Sequence, residues 1–258
     1  MSNTYKNIKD KWQFNILGID DFNNKDGSLY KYYEFIKKNH KKIKGNLLEA
    51  GVHKGKSLLA TAILLKNLKS KKIIYAHDTW KGFPKKYIGN KNDQFSCWKT
   101  LLKEKKITKN HFKKILDNFK IISFIKKSKV KDINSFNVST SSDFSNAPLV
   151  ELKRKIKFLS LDNIVLKEGS FDKTMKLNEN SKLMCALIDA DLYESYKVCI
   201  PYIWRNLSKK GMIFLDEYYS LKFPGARLAT NEFFSDKKSK LKKISDKPRD
   251  FERWAAFK

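Results

Sequence analysis

The sequence predicts an α/β fold in which a largely parallel sheet is covered by helices on both faces. Three observations carry that expectation. Short apolar runs at 46–52, 71–78, 158–167, 183–189 and 211–216 read as strands, with helical stretches alternating between them. The unusual residue clusters, around Gly51, Asp78, Asp189 and Asp216, all fall at the ends of those runs, where such sheets bind ligands. The 258 residues are 41% hydrophobic and 13% aromatic, enough to bury a real core.

Taken in order, residues 1–45 are expected to be mainly helical, with aromatics at Tyr30, Tyr32, Tyr33 and Phe35 and a lysine-rich exit. The period then changes to the apolar run 46–52, which leads into His53-Lys54-Gly55-Lys56-Ser57 and a helix over 58–68. A second strand, 71–78, ends in Asp78. Strand, glycine-bearing turn, helix, strand and acid make a βαβ unit. The stretch 88–157 holds helices near 95–103 and 109–119 and a Ser/Asn-rich segment, 134–146, with the composition of a mobile loop. A structureless run of that length is unusual inside a compact domain, so an inserted lid is expected there. The alternation resumes with strands ending near 167, 189 and 216 and helices over 194–207 and 224–234. A terminal hairpin over 241–244 and 251–257 closes the chain. The expected organisation is therefore a helical segment, 1–45, and one domain, 46–258, carrying the 88–157 insertion.

The net charge of +28 invites a nucleic-acid reading, yet only five of the 55 basic residues are arginine. Arginine is the residue that reads phosphate and guanine bidentately. The lysines are spread along the whole length, as on solvated faces. The charge is read as the composition of an AT-rich coding sequence, with polyanion binding as the alternative. No apolar run approaches the roughly 18 residues of a membrane span. The N-terminal residues carry no apolar segment of the secretory kind. Cys97, Cys185 and Cys199 lack CxxC spacing, which excludes a zinc ribbon and a disulfide scaffold and suits the cytoplasm. A homo-oligomer is left open.

Gly51 and Gly55 let the backbone turn tightly against a ligand, and the following helix start offers free N–H groups to a carboxylate or phosphate. The spacing is neither GxxxxGK[ST] nor GxGxxG, so an ordinary strand–helix turn is the competing reading. Asp78 is placed to accept both ribose hydroxyls of a nucleoside, or to cap a helix. Asp189, Asp216 and Glu217 end two neighbouring strands and would repel one another unless something positive lies between them. A hard cation such as Mg²⁺ takes such oxygens. In the alternative, Asp191 caps the next helix while Asp216 and Glu217 face solvent or a lysine. His53 either touches a ligand or is an exposed loop residue, and His77 is expected to be packed. Trp80, Phe83 and Tyr87 either line a pocket or serve the core.

The stretches 48–57, 78–84, 168–171 with Asp172 and Thr174, 189–195, 211–218, and 224–227 leading into 231–233 resemble one family in that order. It is the macrocin O-methyltransferase (TylF/MycF-like) group of S-adenosylmethionine-dependent class I methyltransferases. The resemblance runs from residue 14 to the C-terminus, except over 88–157. It implies a Rossmann-like seven-stranded, mostly parallel sheet. It also implies that Glu49, Gly51, Val52, Gly55, Lys56 and Ser57 wrap the methionine end of adenosylmethionine and that Asp78 holds its ribose. Thr79, Gly82, Phe83 and Asp189 would lie in the same site, Gly169 and Ser170 would border the adenine, and Ile16 and Leu17 would close over it. The family's metal site carries over onto Asp189, Asp216 and Glu217, with Glu217 where Asp is usual, and Lys56 stands where a second glycine is common. The activity implied is Mg²⁺-assisted methylation of a sugar hydroxyl on a glycoside, glycan or nucleotide-sugar, with Asp189, Asp191 and His53 as catalytic candidates. A nucleic-acid (RNA) methyltransferase, or an RNA-binding protein using the basic surface, is the alternative.

Overall fold

The computed structural model describes residues 10–176, 182–245 and 251–258, so positions 1–9 of the expected N-terminal segment lie outside it. Helices α1 (Lys11–Leu17) and α2 (Tyr30–Asn39) precede strand β1 (Asn46–Ala50), and α3 (Lys56–Asn67) and β2 (Ile74–Asp78) follow. Next come α4 (Ser96–Lys103), α5 (Lys109–Ile125), α6 (Leu149–Phe158), β3 (Ile164–Glu168) and the single turn α7 (Phe171–Thr174). The chain finishes with β4 (Leu183–Ile188), α8 (Tyr193–Asn206), β5 (Leu207–Leu215), α9 (Pro224–Phe233), β6 (Leu241–Ser245) and β7 (Arg253–Phe257). The strands form one seven-stranded sheet in the order β3-β2-β1-β4-β5-β7-β6. The first five are mutually parallel, while β7 runs antiparallel to β5 and to β6. The Rossmann-like α/β architecture is thus present, and the terminal hairpin extends the sheet.

The period of two along each strand divides the interior into two cores. Leu48, Ala50, Ile213 and Ala256 point to one side, where Trp98 of α4, Ile115 of α5, Tyr196 of α8 and Ala226 of α9 cover them. Leu47, Met212, Phe214 and Ala255 point to the other, under Phe14 of α1, Tyr33 of α2, Leu59 of α3 and Leu152 of α6. Strand β4 is buried throughout, which is why its sequence is an unbroken apolar run.

Two expectations about 88–157 change. The second helix continues six residues beyond the expected 119, to Ile125, because Ile122 prolongs the buried stripe of Ile115 and Phe119. The Ser/Asn-rich segment is packed: Val138 and Ser139 are buried. Its polar side chains satisfy their own backbone, Asn137 Oδ1 accepting from Asn134 N at 2.7 Å and Asn134 Oδ1 from Phe136 N at 2.9 Å. Its composition signals side-chain-capped turns.

Candidate active site

In a parallel sheet all carboxyl ends meet at one edge, and here that edge carries Gly51 after β1, Asp78 ending β2, Asp189 after β4 and Asp216 after β5. Gly51 has φ +84°, and a Cβ there would lie 1.8 Å from the Asp189 carbonyl oxygen. Only glycine lets β1 leave the sheet this close to β4. Gly82 has φ +80°, with the Asp143 carbonyl 2.7 Å from the position of a Cβ, so the segment around Asp143 lies directly against the β2 loop.

The turn after Gly51 separates two clefts. The first, with about 660 Å³ of open space, is lined by Gly51, Val52, His53, Asp78, Thr79, Gly82, Phe83, Asp189 and Asp191 among others. The second, about 640 Å³, shares Val52, His53 and Asp189 and adds Lys56, Ser57, Asp216, Asp20 and Leu29. Ile16, Leu17, Glu49, Gly55, Gly169 and Ser170 line neither. Ile16 is 75% exposed and Leu17 packs on the core. Ser170 stands at the N-terminus of α7, and the neighbouring Phe171 reaches the first cleft instead.

Asp78 already works as an anchor. Its Oδ2 accepts from Val52 N at 2.6 Å and His53 N at 2.8 Å, and its Oδ1 from Trp80 N at 2.7 Å. A carboxylate offers about four acceptor positions, and backbone N–H groups already fill three of them. Asp78→Ala should release both the turn and the ligand. Adenosylhomocysteine binding is expected to weaken by roughly 1–3 kcal/mol in titration calorimetry.

Glu49 lies wholly buried behind the turn, where Oε1 accepts the Ser57 hydroxyl at 2.6 Å and braces the start of α3. Its Oε2 has no partner among the described residues. Burial raises its pKa from 4.5 to about 8, with the nearby Asp78 charge adding to the rise against the Ser57 hydrogen bond. A carboxyl that is protonated when folded and ionised when unfolded makes the native state lose stability as pH rises from 4.5 to about 8. Glu49→Gln removes that loss. In urea denaturation the variant should gain on the parent between about pH 5 and about pH 8.

The acids gather differently from the expected set. Carboxylate oxygens of Asp189, Asp191 and Glu217 lie within 4.8 Å of one another. Asp216, expected as a third ligand, instead has Oδ1 3.2 Å from Arg253 of β7. Asp191, which adopts a left-handed conformation at φ +58°, is the third member of the cluster. Tyr196 accepts from Glu217 N at 3.2 Å and donates to Ile188 O at 3.0 Å, tying the β5 turn to β4. Asp189 is exposed and opens onto both clefts, although protein atoms crowd around its carboxylate and desolvate it in part. Burial first, and then the neighbouring acids, raise the pKa of Asp189 and Asp191 well above the usual carboxylate range. Burial also raises Asp216 and Glu217, against the opposing charges of Arg253 and Lys222. Burial opposes the charge of Lys222 in turn, but the acids outweigh it and raise its pKa, Glu217 most of all.

His53 Nε2 lies 2.9 Å from Asn146 Oδ1, an amide oxygen that only accepts, so Nε2 donates there. The His53 ring meets Phe144 edge-on at 5.4 Å, and Phe144 packs on Phe83 at 5.3 Å. Phe144, which lines the first cleft, and Asn146, which holds His53, are residues that sequence reasoning misses, since both sit in a Ser/Asn-rich stretch without periodicity. His77 is packed as expected, bonded to Thr174 Oγ1 at 3.0 Å and lowered to about pKa 4 by burial. Trp80 belongs to the core, and the Tyr87 hydroxyl donates to Asp172 at 2.7 Å, so of the three candidate aromatics only Phe83 lines the cleft.

A family model described as macrocin-O-methyltransferase (TylF) matches residues 115–247. The match begins inside 88–157, so the family pattern extends back to residue 115, into the stretch where no resemblance is expected from the motifs. The solved structure of the O-methyltransferase NovP is similar with TM-score 0.59 at 16% identity, over 87% of this chain and 79% of that one. CalS11, a calicheamicin methyltransferase, is similar with TM-score 0.59 at 18% identity, over 96% of this chain and 80% of that one. An apo structure of CalS11, described as a TDP-rhamnose 3'-O-methyltransferase, has TM-score 0.50 at 18% identity, over 96% and 80%. At these identities the likeness shows the fold. No curated protein matches the sequence.

Proposed function

Because this chain belongs to the macrocin O-methyltransferase family, we propose that it moves the sulfonium methyl of S-adenosylmethionine onto a sugar hydroxyl. The observation that carries this reading is the acid cluster Asp189, Asp191 and Glu217 standing beside the glycine turn and Asp78 at one sheet edge. Three carboxylate oxygens within 4.8 Å suit a hard cation, so Asp189, Asp191 and Glu217 would hold Mg²⁺. When bound, the ion would lower the pKa of a sugar hydroxyl and stabilise the charge that develops on it. Asp216 would join only by leaving Arg253.

The residues themselves divide the remaining work. The N–H groups opening α3 receive the carboxylate of the methionine end, and Asp78 takes a ribose hydroxyl. Phe83 and Phe144 wall the first cleft with apolar surface, which excludes water from the transfer line. Asp189 and Asp191 both line that cleft, and either carboxylate can receive the hydroxyl proton there. His53 lines the same cleft as a further candidate acceptor. We assign 46–258 as the catalytic domain, with the 88–157 insertion shaping the acceptor pocket through Phe144 and Asn146. The sugar named for one structural neighbour supports a nucleotide-sugar or glycoside acceptor. The family match does not favour the nucleic-acid reading. The three cysteines are free, which accords with the reducing cytoplasm where we place the protein.

Purified protein given adenosylmethionine and a panel of nucleotide-sugars and glycosides is expected to release adenosylhomocysteine with at least one of them. Failure of adenosylhomocysteine to bind in calorimetry would overturn the reading.

A further inference from the structure

The outer face of α5 is built unlike an ordinary solvated helix. Its inner side is anchored: Ile115, Phe119 and Ile122 are buried, and His111 Nε2 donates to Ser220 O at 2.8 Å. On the outer side Phe124 is 86% exposed, Ile121 58% and Ile125 57%, at the i, i+3, i+4 spacing of one helix face. The turn that packs against the end of α5 presents another exposed apolar side chain, Val130. Around this apolar face Lys113, Lys120, Lys127, Lys129 and Lys131 are exposed. Residues 109–132 hold eight lysines and two aspartates, a net charge of +6, and Asp117 lies 4.0 Å from Lys120.

We propose that this face of α5, with the turn after it, docks on an anionic lipid surface. An exposed apolar stripe ringed by lysines buries its hydrocarbon among acyl chains while the ammonium groups meet lipid phosphates. Charge decides the occupant. A second copy would set two such +6 faces against each other, whereas an anionic bilayer is complementary to both the apolar centre and the basic rim. No helix among the described residues is long and apolar enough to cross a membrane, so the contact is with the surface.

The test is sedimentation of the full chain with vesicles of phosphatidylcholine alone and of phosphatidylcholine mixed with phosphatidylglycerol. Binding is expected to the mixed vesicles only. The triple variant Ile121→Ser, Phe124→Ser, Ile125→Ser changes only exposed side chains and should weaken that binding by at least about tenfold. A Phe124→Trp variant should shift its fluorescence to the blue on the mixed vesicles, as a ring entering hydrocarbon does. Undiminished binding by the triple variant would mean that overall charge holds the chain to lipid, and would overturn the proposal. So would a dimer in solution that the triple variant dissociates, since the face would then be a self-interface. Vesicle binding is independent of methyl transfer, and calorimetry with adenosylhomocysteine reports on the site separately.

Discussion

Asp189→Asn is expected to lower methyl transfer by about a thousandfold while leaving adenosylhomocysteine affinity within about threefold. Asp189 borders both clefts and belongs to the cluster with Asp191 and Glu217, so under the proposed function losing its charge would weaken cation binding and proton acceptance together. The amide keeps the shape, so the fold and the adenosine end of the site should survive. Mg²⁺ should raise the melting temperature of the parent by mass action and leave that of the variant unmoved. Asp216→Asn then distinguishes the two ligand sets. With Asp216 held by Arg253, its loss should cost about tenfold; a thousandfold loss would instead return Asp216 to the metal. Full turnover by Asp189→Asn, or by the parent in excess chelator, would dismiss a catalytic cation.

Gly51→Ala is expected to destabilise the protein by more than about 3 kcal/mol in urea denaturation. The added Cβ would stand 1.8 Å from the Asp189 carbonyl oxygen and 2.7 Å from its carbon, both backbone atoms that no rotamer change can move. Asp189 N donates to Ala50 O at 2.9 Å, so relieving the clash means prising β1 from β4 at the edge that carries the site. Gly89 is the control: its φ is +79°, but nothing lies within 4 Å of a Cβ there. Gly89→Ala should cost only the left-handed backbone, about 1 kcal/mol. Equal losses at the two glycines would show that conformation alone, and not the close approach of β4, requires glycine at position 51.

The strand–helix alternation, the two-sided burial of β4 and the glycine, aspartate and acid pair at the strand ends are all legible along the chain. Each depends on neighbours within one or two turns of sequence, where the periods of two and 3.6 act directly. A parallel sheet then brings its carboxyl ends to one edge without further instruction, which is why Gly51, Asp78 and Asp189 group together from sequence alone. The partners inside that edge are not legible. Asp216 lies 37 residues from Arg253, and His53 lies 93 from Asn146. Asp191 joins the acid cluster while Asp216 meets an arginine delivered by the last strand, and neither pairing shows in the local sequence. Asp78 meets the backbone of Val52 and His53 only because β2 lies beside β1. Such pairings follow from how the strands, helices and loops assemble in three dimensions, and no local period encodes the distance between two side chains that packing alone brings together.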